Sequence, residues 1–187
     1  IYHRLGIKAF PAKSPSDLRR ASKIILPGVG SFDWAMGCLE KSGLREALDE
    51  EVLLLKKPVL GVCVGMQMMA SSSEEGAMSG LNWIDAKVLK FDVSSLGQQT
   101  YLPHMGWNGV QQVSENRLFQ GLEDNEFYFL HSYFIAVNKS EYRLANSFYG
   151  LEFTSAIRRK NIYGTQFHPE KSHTNGVKLL KNFAELC

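Results

Sequence analysis

The side chains best suited to chemistry in this chain are a cysteine held between glycines and, far downstream, a histidine and a glutamate two residues apart. Cys63 stands in Pro58-Val-Leu-Gly61-Val-Cys63-Val-Gly65-Met-Gln67-Met-Met-Ala70. The apolar run Val59–Val62 predicts a short buried strand, and Val64–Ala70 predicts the start of a helix. A thiol perched between strand end and helix start, with glycine two places away on each side, has the layout of a nucleophile elbow. Taken alone, the segment is equally compatible with a buried structural cysteine. His168 and Glu170 lie in Gln166-Phe167-His168-Pro169-Glu170. Pro169 fixes the backbone between them, so the pair can act as a base and its orienting carboxylate. A solvated His–Glu pair on the surface is the competing reading.

Other polar groups interrupt predicted strands. His131-Ser132-Tyr133 breaks the apolar run Phe127–Val137. Pro27-Gly28-Val29-Gly30 follows the predicted strand Lys23–Leu26 and can either offer backbone N–H groups to an anion or form a plain turn. Pro103-His104-Met105-Gly106-Trp107-Asn108 reads as a polar–aromatic turn.

These residues need a frame. Ile7–Phe10 reads as a short strand, and Ser14 or Ser16 caps a helical piece over Asp17–Ala21. Ser31 and Asp33 open a helix running to about Glu40. Residues 44–57 form an amphipathic helix with Leu44, Ala47, Leu48, Val52 and Leu55 on one face, and Pro58 ends it. Strand and helix alternate here, which predicts a parallel α/β sheet with its sites outside the carboxyl ends of the strands. Cys63 and the Pro27–Gly30 loop both lie at such ends. Further on, Ser71–Gly76 is a loop, Trp83–Phe91 a strand, and Val93–Thr100 a flexible loop. Val110–Val113, Arg143–Ser147, Phe153–Arg158 and Ile162–Gln166 follow as strands. The last helix is capped near Thr174 and carries Val177, Leu180, Phe183, Ala184 and Cys187 on its apolar face. Cys38 and Cys187 are read as packing residues.

A length of 187 residues fits one domain with a substantial core. A net charge of +2 gives no argument for nucleic acid or membrane surfaces. No stretch nears the roughly 18 apolar residues of a membrane span. The three cysteines are too few and too widely spaced for a disulfide framework or a zinc pattern, and a reducing, cytoplasmic compartment follows. His168 and His173 do not have the spacing of a helical metal-ligand pair, so neither metal nor cofactor is expected. Ile1-Tyr-His-Arg-Leu-Gly6 looks like the closing turn of a helix, so the single domain is read as lacking an initial strand and most of a first helix.

Together, Gly61-Val-Cys63-Val-Gly65-Met-Gln67 and Gln166-Phe-His168-Pro-Glu170 resemble the motifs of the class I (triad) glutamine amidotransferases, over essentially the whole chain. Pro27-Gly-Val-Gly30, Ser73-Glu-Glu-Gly76, Pro103-His-Met-Gly-Trp-Asn108, His131-Ser-Tyr133 and His168-Pro-Glu-Lys171-Ser172 resemble the HisH-type glutaminase subunits of imidazole glycerol phosphate synthase. The fold implied is flavodoxin-like: a central, mostly parallel sheet flanked by helices, with additional antiparallel strands.

The resemblance implies a catalytic triad of Cys63, His168 and Glu170, with an oxyanion hole from backbone N–H groups at Gly28, Val29 and Val64. It places the glutamine pocket on Gly30, Gln67, Glu75, Ser132 and Tyr133, with His131 supporting its wall. It also implies a heterodimer with a (β/α)8 cyclase of HisF type that receives ammonia, contacted through Trp107, Tyr128 and Lys171. Three other readings stay open: a paralogue supplying ammonia for sugar amidination in surface-polysaccharide synthesis, a catalytically silent binding subunit, and a stand-alone hydrolase.

Overall fold

A computed structural model describes residues 1–92, 94, 101–122 and 124–187. The predicted loop Val93–Thr100 therefore lies outside the described residues, apart from Ser94. Residues 1–6 form a turn that Gly6 closes at φ +70°. Ile7–Phe10 is not a strand; among the described residues no ladder partner reaches it. Helix α1 spans Pro15–Arg20, and the Ser14 hydroxyl accepts from the Asp17 N–H while the Asp17 carboxylate returns a bond to the Ser14 N–H, a full capping box.

Strand β1 (Ile24–Gly28) leads to α2 (Phe32–Ser42), capped by Ser31 and stopped by Gly43 at φ +67°. The expected helix over 44–57 is two pieces: α3 (Arg45–Asp49) and a π-helical turn over Glu50–Leu54. The wider turn rotates the residues that follow it. Leu55, expected in the core, is 61% exposed, while Glu51 is buried and faces Lys57 Nζ at 2.5 Å.

Strand β2 (Val59–Cys63) is buried at every residue. Helix α4 is only Val64–Gln67, shorter than the expected Val64–Ala70, because the chain turns at Met68 and Met69. Strands β3 (Ser72–Ser73) and β4 (Ala86–Lys90) follow. The Pro103–Asn108 segment is not a turn. His104–Gly109 is strand β5, with His104 inward and Met105 and Trp107 outward. After β6 (Gln111–Gln112), the run Phe127–Val137 divides at Ser132 into β7 (Glu126–His131) and β8 (Tyr133–Val137). Its polar residues mark a corner where the chain passes from a small sheet to the main one. β9 (Arg143–Tyr149), β10 (Leu151–Arg159), β11 (Ile162–Thr165) and α5 (His173–Leu186) complete the order.

The main sheet runs β1-β2-β11-β10-β8-β4-β3, with β9 and β6 attached beside β10. β1, β2 and β11 are mutually parallel, and antiparallel strands extend them. The register sets Gly28 beside Cys63 and Thr165 beside Val62. Three strand ends therefore bring Gly28, Cys63 and the segment after Thr165 to one edge. β5 pairs with β7 in a separate ribbon that sets Trp107 opposite Tyr128 and His104 opposite His131.

Helix α5 starts at His173, earlier than the expected cap near Thr174. Ser172 precedes it but makes no side-chain cap; its hydroxyl instead donates to the His168 carbonyl at 2.6 Å and accepts from the Tyr128 N–H at 3.0 Å. Cys187 packs against the core, but Cys38 is exposed on α2, so it is not a packing residue. No helix among the described residues is long and apolar enough to cross a membrane.

Candidate active site

Cys63 ends β2 with φ +53° and ψ −115°, a conformation that L side chains rarely adopt. Only a very close approach of β1 to the start of α4 lets the chain turn this way. A Cβ on Gly65 would lie 1.8 Å from the Leu26 carbonyl oxygen, and one on Gly28 would lie 2.3 Å from the Gly65 nitrogen. Glycine is thus required on both sides of the contact. The elbow lifts the thiol from the sheet to the floor of a cleft of roughly 290 Å³. Its sulfur reaches the Leu130 carbonyl oxygen at 3.8 Å.

His168 follows β11 and also lines the cleft. Its backbone is held by its N–H to the Tyr128 carbonyl at 2.8 Å and by the Ser172 hydroxyl on its own carbonyl. Nδ1 lies 2.7 Å from Glu170 Oε1, so Nδ1 carries a hydrogen and Nε2 is the nitrogen left to exchange a proton with the thiol. Burial pulls the His168 pKa down, but the Cys63 thiol and the Glu170 carboxylate outweigh it and lift the imidazole to about 9. Burial pushes the Glu170 carboxyl up, but its bond to His168 and the nearby His168 and Lys171 charges leave it lowered overall. The two shifts agree: each group stabilises the charged form of the other.

Of the predicted pocket residues, Gly30, Gln67, Glu75, Ser132 and Tyr133 all line the cleft, as do Val29, Val64 and Lys171. Gly28 lies beneath it in β1, and Glu170 stands behind His168. Two of the pocket side chains are already engaged. Gln67 Nε2 donates to the Tyr133 carbonyl at 3.0 Å and to Gln166 Oε1 at 2.9 Å, which leaves Oε1 as the acceptor for a ligand. Glu75 Oε2 accepts from the Phe32 N–H at 2.8 Å. The loop that carries Glu75 is latched to α2, because Asp33 accepts from the Ala77 and Met78 N–H groups at 2.9 and 3.0 Å.

Trp107, Tyr128 and Lys171 form one patch at the rim. Trp107 is 46% exposed and meets Tyr128 edge-on with ring centroids 6.2 Å apart, and Lys171 Nζ lies 5.7 Å from the Tyr128 centroid. His173 stacks on Trp107 at 5.0 Å, a contribution that sequence reading missed. Gln166 was missed too, as a group with a role: its Nε2 lies 3.6 Å from the Cys63 sulfur. Its place one step past the β11 ladder and two before His168 was the available signal.

A cysteine on a strained elbow, a histidine polarised by a glutamate and a polar cleft suit acyl transfer from an amide. The family comparison agrees, because residues 7–186 match the model of the class-I glutamine amidotransferases. The chain belongs to that family. Within it, the chain is 51% identical over 187 residues to "Imidazole glycerol phosphate synthase subunit HisH" of Bdellovibrio bacteriovorus, covering all of this chain and 92% of that one. It is 52% identical over 175 residues to the protein of the same name from Leptospira interrogans, covering 93% and 86% of the two chains. A "subunit HisH 2" of Pseudomonas aeruginosa is 46% identical over 98% of this chain and 90% of its own length. This amidotransferase is therefore a HisH relative across its length. Its fold matches a crystal structure titled glutamine amidotransferase with TM-score 0.73 at 20% identity, over 99% of this chain and 89% of that one. A glutamine amidotransferase from Thermotoga maritima matches with TM-score 0.59 at 20% identity, over 96% and 67%.

Proposed function

We propose that this chain is the glutaminase subunit of an imidazole glycerol phosphate synthase, working in the cytoplasm and passing ammonia to a (β/α)8 cyclase of HisF type for histidine synthesis. The observation that carries the reading is the His168–Glu170 pair, bonded at 2.7 Å and set beside a cysteine held at positive φ.

His168 Nε2 takes the thiol proton, and the Cys63 sulfur attacks the side-chain amide carbon of glutamine. Negative charge collects on the carbonyl oxygen, for which the Val64 N–H and the Gly28–Val29 peptide are the donors; one such donor is worth about 3 kcal/mol in the transition state. His168 then gives its proton to the leaving nitrogen, so ammonia departs and a γ-glutamyl thioester remains on Cys63. His168 next deprotonates a water, which attacks the thioester and releases glutamate. Glu170 keeps the imidazole in the Nδ1–H tautomer throughout. Gly30, Gln67, Glu75, Ser132 and Tyr133 would hold the α-amino and α-carboxylate groups. Ammonia set free in neutral water is protonated and loses its nucleophilicity. A partner seated over the cleft avoids that loss, and the Trp107, Tyr128 and Lys171 rim suits such a seat.

Glutamine labelled with nitrogen-15 in its side-chain amide tests the whole reading. With the cyclase partner present, label is expected in the imidazole product, and Cys63→Ala is expected to abolish it. Complementation of a histidine auxotroph by chain and partner together tests the pathway. Numbered copies among the relatives, such as HisH 2 of Pseudomonas aeruginosa, make that arm worth running. Label transfer without complementation would favour the surface-polysaccharide role.

A further inference from the structure

Two buried histidines have no part in the chemistry above. His104 on β5 and His131 at the end of β7 face each other, with His104 Nδ1 2.9 Å from His131 Nε2. The other ends of the two rings are also engaged. His131 Nδ1 lies 2.8 Å from the Tyr133 carbonyl oxygen, and His104 Nε2 lies 3.2 Å from Asn108 Nδ2. The rest is an aromatic shell. His104 lies nearly parallel to Tyr149 and Phe129, with centroids at 4.0 and 4.8 Å, and Phe91 and Phe153 flank His131 at 5.5 and 5.3 Å. Polar rings in such a shell are costly unless every nitrogen is paired, and a pair of apolar side chains would fill the space without that requirement.

The contacts determine where each proton sits. The Asn108 amide has a fixed orientation, because its nitrogen donates to the Phe148 carbonyl at 2.9 Å and its oxygen accepts from the Gly109 N–H at 2.8 Å. Asn108 therefore presents a donor to His104 Nε2, which must be the bare nitrogen. His104 Nδ1 then carries hydrogen and donates to His131 Nε2. His131 Nε2 is bare as well, and its Nδ1–H donates to the Tyr133 carbonyl. Charging either ring would put a hydrogen on His104 Nε2 or on both facing nitrogens, setting donor against donor. The chain thus runs one way, Asn108 to His104 to His131 to Tyr133, with both rings neutral. Burial favours the same state, pushing His131 down to about 3 and His104 to about 4.

The chain ends on a working part of the site. The Tyr133 carbonyl also accepts from Gln67 Nε2, and Gln67 in turn bonds Gln166, whose amide nitrogen reaches the Cys63 sulfur. We propose that His104 and His131 are positioning residues for glutamine hydrolysis. Their one-way hydrogen-bond chain fixes the Tyr133 carbonyl and the Ser132–Tyr133 corner, and through them the wall against which glutamine binds. This rests on the glutaminase reading above. His104 sits three residues before Trp107 on the same strand, so the chain also ties the rim to the cleft floor.

Nitrogen-15 spectra of the imidazoles in the intact chain read the tautomers directly. Both rings are expected as neutral Nδ1–H forms near neutral pH; an Nε2–H or doubly protonated ring at either position would overturn the inference. Steady-state glutamine hydrolysis with the partner subunit gives the second readout. His104→Leu is expected to raise KM for glutamine about tenfold, the scale of one buried hydrogen bond, with a smaller change in kcat. His104→Asn keeps a donor near the Nδ1 position and is expected to restore most of the loss. His104→Gln places its donor at the Nε2 position and is not. An unchanged KM in the leucine variant, or asparagine and glutamine variants equally impaired, counts against the proposal. If the leucine variant does not fold, the tautomers and the asparagine–glutamine contrast still decide. Wild-type complex that hydrolyses no glutamine would sink the glutaminase reading, whereas the tautomers can be measured regardless.

Discussion

Gln166 points its side-chain nitrogen at the Cys63 sulfur, 3.6 Å away, while its oxygen accepts from Gln67 at 2.9 Å. Gln67 leaves Gln166 little freedom, so the N–H stays aimed at the sulfur. A donor in that place keeps the sulfur oriented for attack. Gln166→Leu keeps the bulk and removes the donor. Alkylation of Cys63 by iodoacetamide at fixed neutral pH is expected to slow severalfold. The kcat/KM for glutamine is expected to fall about tenfold, as for one hydrogen bond to a charged group. Equal alkylation rates in the two proteins would remove Gln166 from the chemistry.

The coupling of His168 to Glu170 carries a pH signature. Glu170 has a lowered pKa, so its contribution to stability is present above the ordinary carboxylate range and is lost as pH falls through it. His168 is lifted to about 9, so its contribution is complete below about 6.5, its ordinary value, and is lost as pH rises through 9. The shared window lies between the carboxylate range and the ordinary histidine value. Thermal melts of wild type and Glu170→Gln are expected to differ most there, with the gap closing in acid and again above pH about 9. A proton NMR titration of His168 is expected to move to lower pH in the variant. Wild-type and variant curves that coincide would show that Glu170 does not hold the imidazole.

The proposed triad of Cys63, His168 and Glu170 was legible because each residue lies within a few positions of a local signal: glycines around Cys63, proline between His168 and Glu170. The parallel strands β1, β2 and β11 were legible for the same reason, as short apolar runs ending in those motifs. Strand β5 of the β5–β7 ribbon was not. Pro103, Gly106 and Asn108 have turn chemistry, and only the long-range pairing with β7 makes this segment a strand. The π-helical turn at Glu50–Leu54 was hidden similarly, since a 3.6-residue period fits the apolar positions, and the exposed Leu55 and buried Glu51 show the shift. Gln166 and His104 acquire their partners across 103 and 27 residues, so local pattern gave Gln166 only its place two residues before His168 and gave His104 nothing.

The elbow makes a steric prediction. A Cβ on Gly65 would overlap the Leu26 carbonyl oxygen at 1.8 Å, and backbone lies on both sides of the contact. Neither side has a flexible atom to yield. Gly65→Ala is expected to lower stability by the upper end of about 1–3 kcal/mol, or to leave no folded protein. Gly109→Ala is the control, because nothing lies within 4 Å of its Cβ position. Urea midpoints compare the two. A Gly65→Ala midpoint like that of Gly109→Ala would mean that β1 and α4 can separate without cost.

On the proposed reading, the rim separates partner binding from chemistry. Trp107 stacks on His173, meets Tyr128 edge-on and is nearly half exposed, whereas Cys63, Val29 and Val64 line the cleft. An exposed tryptophan already braced by neighbours loses little side-chain freedom when a partner covers it, which makes it a strong anchor. Trp107→Ala is expected to weaken binding of the (β/α)8 partner by about 2 kcal/mol, roughly 30-fold in Kd. Calorimetric titration of the partner into each protein measures it. Alkylation of Cys63 in the free chain is expected to stay unchanged, since Trp107 has no bond to the nucleophile. Lys171→Met tests the neighbouring charge: it lines the cleft as well as the rim, so it is expected to raise KM for glutamine in addition to weakening the partner. Partner affinity unchanged in both variants would place the docking surface elsewhere on the molecule.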